Sequence, residues 1–226
     1  MALATTYRPA AVATGIRTNK FWAWSGLAAV LLGFLFTWAP ALFGISDAEA
    51  KDPALLVSAL DTNANLWLGR VTSGVGFLAV GALIVFATGY RRMLAERMPN
   101  SLVPGVAHTA LIATSAALIT ASVFRAMLFD SFDYYDDSVH AAFYALSWDV
   151  ALASWTVVYL AAAASAVAAF RGALPRWFGW LGVVTATLGV VMALVGLAFP
   201  AHMPAMIWLV CASIIAIRAQ EPHAVS

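Results

Sequence analysis

A chain of 226 residues that is 63% hydrophobic and 10% charged, with a mean hydropathy of +0.86, cannot be an ordinary soluble domain, because globular chains carry about 25% charged residues. Its net charge of +1 is spread over loops without a basic face, which excludes nucleic acid as a partner. The single cysteine, Cys211, lies in an apolar run and excludes an intrachain disulfide and any multi-cysteine metal site. The solvent for this chain is the lipid bilayer.

Residues 1–20 form a polar, basic N-terminal segment with Arg8, Arg17 and Lys20. Phe21–Ile45 comes next as the first transmembrane helix, since about 20 apolar residues span a hydrocarbon core. Ala48-Glu49-Ala50 has the small residues of a cleavage site, but the run before it is too long for a signal-peptide core of about 7–15 residues. Asp52-Pro53 supplies an N-cap and a first-turn proline for a short surface helix, Ala54–Leu60, which Asp61-Thr62-Asn63 breaks. The second membrane helix is expected over Leu66–Tyr90, and the third from Pro104-Gly105 to Phe129. An acidic turn carrying Asp130, Asp133, Asp136 and Asp137 comes after it. The fourth helix is Ala141–Phe170 and the fifth Trp177–Phe199; Pro200 and Pro204 frame a turn before the sixth, Ala205–Arg218. Residues 220–226 form a short tail. The fold class is all-α: a six-helix transmembrane bundle over residues 21–219.

Orientation follows from the lysines and arginines. With the N-terminus inside, nine basic residues fall on the cytoplasmic side, and only Lys51, Arg70 and Arg125 lie towards the outside. Both termini are expected to be cytoplasmic. Glycines at heptad spacing (Gly26 and Gly33, Gly74 and Gly81, Gly182, Gly189 and Gly196) are read as packing seams, because small residues let helix backbones approach closely in lipid.

The sharpest anomaly is Asp149, about ten residues inside an apolar run with no other charge. A charge at membrane depth costs roughly 2.5–3.5 kcal/mol on insertion scales, so a partner is expected. Arg70 and Arg125 are the nearest cations by depth. At 100° per residue Asp149 shares a face with Ala142, Ala145, Ala153, Thr156, Leu160 and Ala163, whereas Tyr144, Trp148, Trp155 and Tyr159 form a separate stripe. The small face marks Asp149 as inward-facing. Arg125 lies above Thr114, Leu118, Ala121 and Ser122, and Arg70 beside Ser73, Gly74, Phe77 and Gly81. The three charges are therefore expected either to form a packing ion pair with one arginine left to reach the headgroups, or to line an outward-facing polar pocket. Trp148 and His140, which begins the fourth helix, complete the candidate set.

Other constellations carry less. His202, Met203 and Met206 offer imidazole and thioether groups that suit Cu(I), although methionine is common in apolar turns. The acidic turn lacks the alternate ligands, glycine and terminal glutamate of a calcium loop. No nucleophile-elbow, zincin or phosphate-loop motif is present.

Leu174-Pro175-Arg176-Trp177-Phe178-Gly179-Trp180-Leu181-Gly182, with Ile207-Trp208-Leu209-Val210 leading to Arg218, resembles the last helical hairpin of a family of bacterial, chiefly actinobacterial, six-helix integral membrane proteins of unknown function. The resemblance implies six helices in a bacterial plasma membrane, and no activity or cofactor. Three roles remain open on the residues: binding or transport of a small anionic or lipidic ligand at Arg70, Arg125 and Asp149; a non-catalytic accessory subunit of a larger membrane assembly; and a membrane-embedded enzyme acting on a lipid or isoprenoid. The enzyme is the weakest, since one membrane carboxylate without a second titratable group makes a poor acid–base set.

Overall fold

The first membrane helix stops well short of Ile45, and the cause is local. Pro40 has no N–H, so the carbonyl of Phe36 loses its partner four residues on. In the computed structural model α1 spans Phe21–Trp38, then tightens into a 3-10 stretch, Ala39–Phe43, that Gly44 closes at φ 69°. The structure describes residues 20–130, 132, 134–195 and 198–219, and every regular element among them is helical. Arg8, Arg17, Asp133, Gly196 and the tail from Gln220 lie outside the described residues.

A short 3-10 turn and α2 (Pro53–Leu60) come next. Asp52 caps α2 as its sequence requires, Oδ1 accepting from the N–H groups of Ala54 (3.0 Å) and Leu55 (3.3 Å). α3 (Asn63–Arg97) starts three residues earlier than expected because Thr62 caps it, and ends seven residues later, with Arg92 and Glu96 paired one turn apart at 3.1 Å. α4 is Val103–Asp130. The expected fourth helix proves to be α5 (Asp137–Ser154) and α6 (Val158–Phe170), joined by a 3-10 turn over Trp155–Val157. Hydroxyls explain that turn. Ser154 Oγ donates to the Ala151 carbonyl and Thr156 Oγ1 to that of Ala153, both at 2.7 Å, in competition with the α-helical ladder. The last two helices are α7 (Arg176–Leu194) and α8 (Ala198–Arg218). The turn expected between Pro200 and Pro204 is displaced, since both prolines lie within α8.

Four stretches are long and apolar enough to cross a bilayer: Phe21–Phe43, α3, α4 and Asp137–Phe170. α7 and α8 add shorter apolar stretches, Arg176–Met192 and His202–Arg218. The outward surface of the bundle keeps Trp24, Leu31, Leu78, Trp180 and Ile207 exposed, as lipid-facing helices do. The main core joins Phe36, Leu83, Phe86, Tyr90, Leu111, Trp155 and Trp208. A smaller core at the opposite end from Lys20 packs Leu56 and Leu60 of α2 on Phe43, Leu128 and Phe129, with Ala141, Phe143 and Tyr144 of α5 against them. This is termed the α2 end; the other, bearing Lys20, Arg91, Arg92, Arg97, Arg171, Arg176 and Arg218, is the arginine-rich end.

The glycine seams hold in α1 and α7 but shift in α3. A Cβ on Gly33 would stand 2.5 Å from Trp155 Cζ2, and one on Gly189 would collide with the Tyr159 ring. A Cβ on Gly74 or Gly81 would have no described atom within 4 Å, whereas one on Gly69 would meet Phe129, and one on Gly76 would meet Ser122 and Phe36. The seam of α3 is thus the face holding Gly69, Gly76 and Leu83, roughly 150° around the helix from the expected one.

Candidate functional site

The end of α1 organises the interior. Successive helical residues diverge by 100°, so three in a row reach three neighbours. The Phe36 carbonyl, which lacks a donor at Pro40 and takes the N–H of Ala39, also accepts from Arg125 Nη1 of α4 at 2.6 Å. Thr37 Oγ1 accepts from Trp155 Nε1 at 3.0 Å, and Trp38 Nε1 donates to His202 Nε2 of α8 at 3.2 Å. One turn of α1 is therefore bonded to three elements far away in sequence.

Arg125 is wholly buried, at 0% exposure. Its side chain rises from the face of Thr114, Leu118, Ala121 and Ser122, all buried as the spacing predicts. Two features of α1 stabilise the charge. The C-terminal carbonyls of a helix carry about half a negative charge, and the guanidinium carbon stands 4.0 Å from the Phe36 ring centroid, a cation–π distance. Nη1 is satisfied, but Nε and Nη2 have no hydrogen-bond partner among the described residues. In a guanidinium, Nε–H and Nη2 lie on the same side and make the fork that grips a carboxylate or phosphate with two parallel bonds. No carboxylate among the described residues pairs with it.

The expected three-charge centre is not assembled. Arg70 pairs instead with Asp130, Nε to Oδ1 at 3.3 Å, and its Nη2 donates to the Phe129 carbonyl at 3.3 Å. Both partners of that pair are more than half exposed, at 58% and 62% of their side-chain surface. Asp149 is exposed and forms no ion pair or hydrogen bond among the described residues, so its expected contact with Arg70 or Arg125 is absent. The periodicity of α5 is right and its facing is inverted: Ala142, Ala145, Asp149, Ala153 and Leu160 look outward, whereas Trp155 and Tyr159 are buried and Tyr144 and Trp148 half-buried.

Depth removes the puzzle of Asp149. The span Asp137–Phe170 has 34 residues, about 51 Å at 1.5 Å each, well beyond a hydrocarbon layer of about 30 Å. The Trp155–Thr37 bond aligns this helix with α1, and Asp149 lies about 9 Å further towards the α2 end than Trp155 and about 32 Å from Phe170. A layer drawn from the Phe21 and Phe170 level therefore ends near Asp149. The residues before it pack on α2. Arg125 lies five residues below Asp130 on α4, about 7 Å along the helix axis.

His140 is buried in that outer cap, Nδ1 against the Asp136 carbonyl at 3.2 Å and its ring 4.7 Å from Phe132, about 13 Å of helix axis from Asp149. His202 directs Nε2, one of the two lone-pair positions a metal could use, at the Trp38 indole, while Met203 and Met206 line an apolar groove of about 360 Å³ between α1 and α8. No group of three or more histidine, cysteine, aspartate or glutamate side chains that could hold a metal occurs among the described residues.

Sequence reasoning does not single out Phe36, Thr37, Trp38 and Trp155 as polar-site residues. Their signal is Pro40, which in an apolar helical run marks a carbonyl in need of a new donor. Comparison of the chain with family models, curated proteins and solved structures finds no match.

Proposed function

We propose that this is a multi-pass bacterial plasma-membrane protein that binds a small anionic ligand at Arg125, with Arg70 and Asp149 outside the site. The supporting observation is the guanidinium itself: buried, with one nitrogen on Phe36 and, among the described residues, neither a carboxylate nor a partner for its two-donor edge. A buried charge with unsatisfied donors is costly enough to disfavour its retention for packing alone. The arrangement offers charge and donors, which suits binding or transport. α7 and α8 complete six crossings in this reading, and the arginine-rich end lies in the cytoplasm by the excess of basic residues there; the likeness of the last hairpin to the bacterial six-helix family agrees.

Thermal-shift screening of anionic metabolites and lipids against wild type, Arg125→Gln, Arg70→Gln and Asp149→Asn tests the proposal. Ligand-dependent stabilisation lost in Arg125→Gln alone is the expected result. Stabilisation that survives Arg125→Gln refutes the site. A second reading, an accessory subunit, has one observation in its favour: the outward face of Ala142, Ala145, Asp149 and Ala153 is small enough for another helix to approach closely. A panel without any shift favours that reading.

A further inference from the structure

We infer that the groove between α1 and α3 holds an anionic phospholipid, with one acyl chain along its floor and the phosphodiester between Lys20 and Arg92. The groove has a volume of about 400 Å³ and is lined by Phe21, Trp24 and Ala28 of α1 and by Gly81 and Val85 of α3, among others, but not by Arg125. It stands apart from the anion site proposed above.

The space is made by a glycine. Gly81 lies on the exposed face of α3, where a Cβ would have no described atom within 4 Å. Glycine is unfavourable inside a helix, and this one makes no close packing with a described neighbour; its effect is to deepen the groove. Ser25 carries the lining's only hydroxyl, which already donates to the Trp22 carbonyl at 2.6 Å. The floor therefore suits hydrocarbon.

The mouth of the groove is cationic. α1 and α3 run antiparallel, with Phe36 against Gly76 and Trp22 against Gly89, so Lys20 and Arg92 come level at the arginine-rich end. Gly81, Val85, Thr88 and Arg92 fall within about 60° of one another around α3, and all four are exposed. Lys20 stands one residue before Phe21. Arg92 Nε holds Glu96 Oε1 at 3.1 Å, but an exposed pair one turn apart is weak and exchangeable. Among the described residues at this end of α1 and α3, Lys20, Arg91, Arg92 and Arg97 face Glu96 alone. An apolar groove that opens between cations matches an amphiphile with a negative head. The same charges disfavour a second copy, since two chains inserted the same way and packed on this face would bring Lys20 and Arg92 against their own counterparts.

Native mass spectrometry of the full-length protein released from mixed micelles tests this by its lipid adducts, with dioleoyl phosphatidylglycerol and dioleoyl phosphatidylcholine as probes that share their chains and differ in head charge. Phosphatidylglycerol is expected to bind more tightly, and Lys20→Gln and Arg92→Gln should each weaken it about 5-fold. Gly81→Leu places a side chain in the groove without a clash at its Cβ and should abolish the adduct, whereas Gly74→Leu, equally open but outside the groove, should keep it. Equal binding of phosphatidylcholine overturns the charged head, and an adduct that survives Gly81→Leu overturns the groove. A wild-type dimer that Gly81→Leu dissociates puts a second copy there instead. Should Gly81→Leu fail to fold, fluorescence decides: brominated phosphatidylglycerol should quench more tryptophan emission than brominated phosphatidylcholine, and Trp24→Phe should remove that excess. No excess in wild type, or one that persists in Trp24→Phe, contradicts the assignment.

Discussion

Arg125 and Arg70 sit on neighbouring helices near the same end of the bundle, yet they occupy opposite regimes. Arg70 lies at the α2 end beside its carboxylate partner, Asp130, both side chains more than half exposed. Arg125 is a turn and a half deeper, sealed, and held by a backbone carbonyl and an aromatic face. High dielectric makes the first pair weak and replaceable; the second charge interacts strongly with whatever touches it. Residue type and nominal depth are shared, so facing and a few ångströms of register decide which cation can serve a ligand.

The largest expected effect lies in the hub beside Arg125. Trp155→Ala removes a buried indole against Gly33 and its bond to Thr37, and should lower unfolding stability in mixed micelles by about 3–5 kcal/mol; a loss under about 1 kcal/mol contradicts the aligned packing. Arg125→Ala should cost about 2–4 kcal/mol, from the cavity and the lost hydrogen bond to the Phe36 carbonyl. Arg125→Met refills the space and removes an uncompensated charge, so it should cost less than half as much. If Met is as damaging as Ala, the charge is a structural asset and the ligand argument weakens.

That contrast also explains what can be read from the chain. The helical layout, the α2 cap and the buried face of α4 are all legible, because capping residues and 3.6-residue periodicity act locally. The facing of α5 is not. Small residues suggest the seam, but the room for Trp155 and Tyr159 is made by Gly33 on α1 and Gly189 on α7, so the aromatic stripe turns inward and the alanines are left outside. Only tertiary pairing reveals which partner supplies the space. Asp149 misleads for a related reason: apolar run length exceeds membrane thickness, and the surplus turns pack on α2.

On the surface side of the comparison the effects are small. Arg70→Ala should cost about 0–1 kcal/mol, with the difference shrinking in high salt, and Asp149→Asn should stay within about 0.5 kcal/mol of wild type. A larger loss for Asp149→Asn points to a partner helix on that face. Smallest is Glu49, whose carboxyl is held below its ordinary 4.5 by the Ser46 hydroxyl and then by the Ser46 N–H. A depressed folded value adds stability above 4.5 that is lost as pH falls through the lower folded value. Glu49→Gln should therefore differ from wild type at neutral pH and converge with it in acid; a difference that grows in acid reverses the assignment.

The central claim is that Arg125, and neither Arg70 nor Asp149, is the anion-binding charge. Thermal shifts of wild type, Arg125→Gln, Arg70→Gln and Asp149→Asn with the panel of anionic metabolites and lipids decide it. Loss of the ligand-dependent shift in Arg125→Gln alone is the expected result; equal loss in Arg70→Gln or Asp149→Asn, or a shift that survives Arg125→Gln, overturns it.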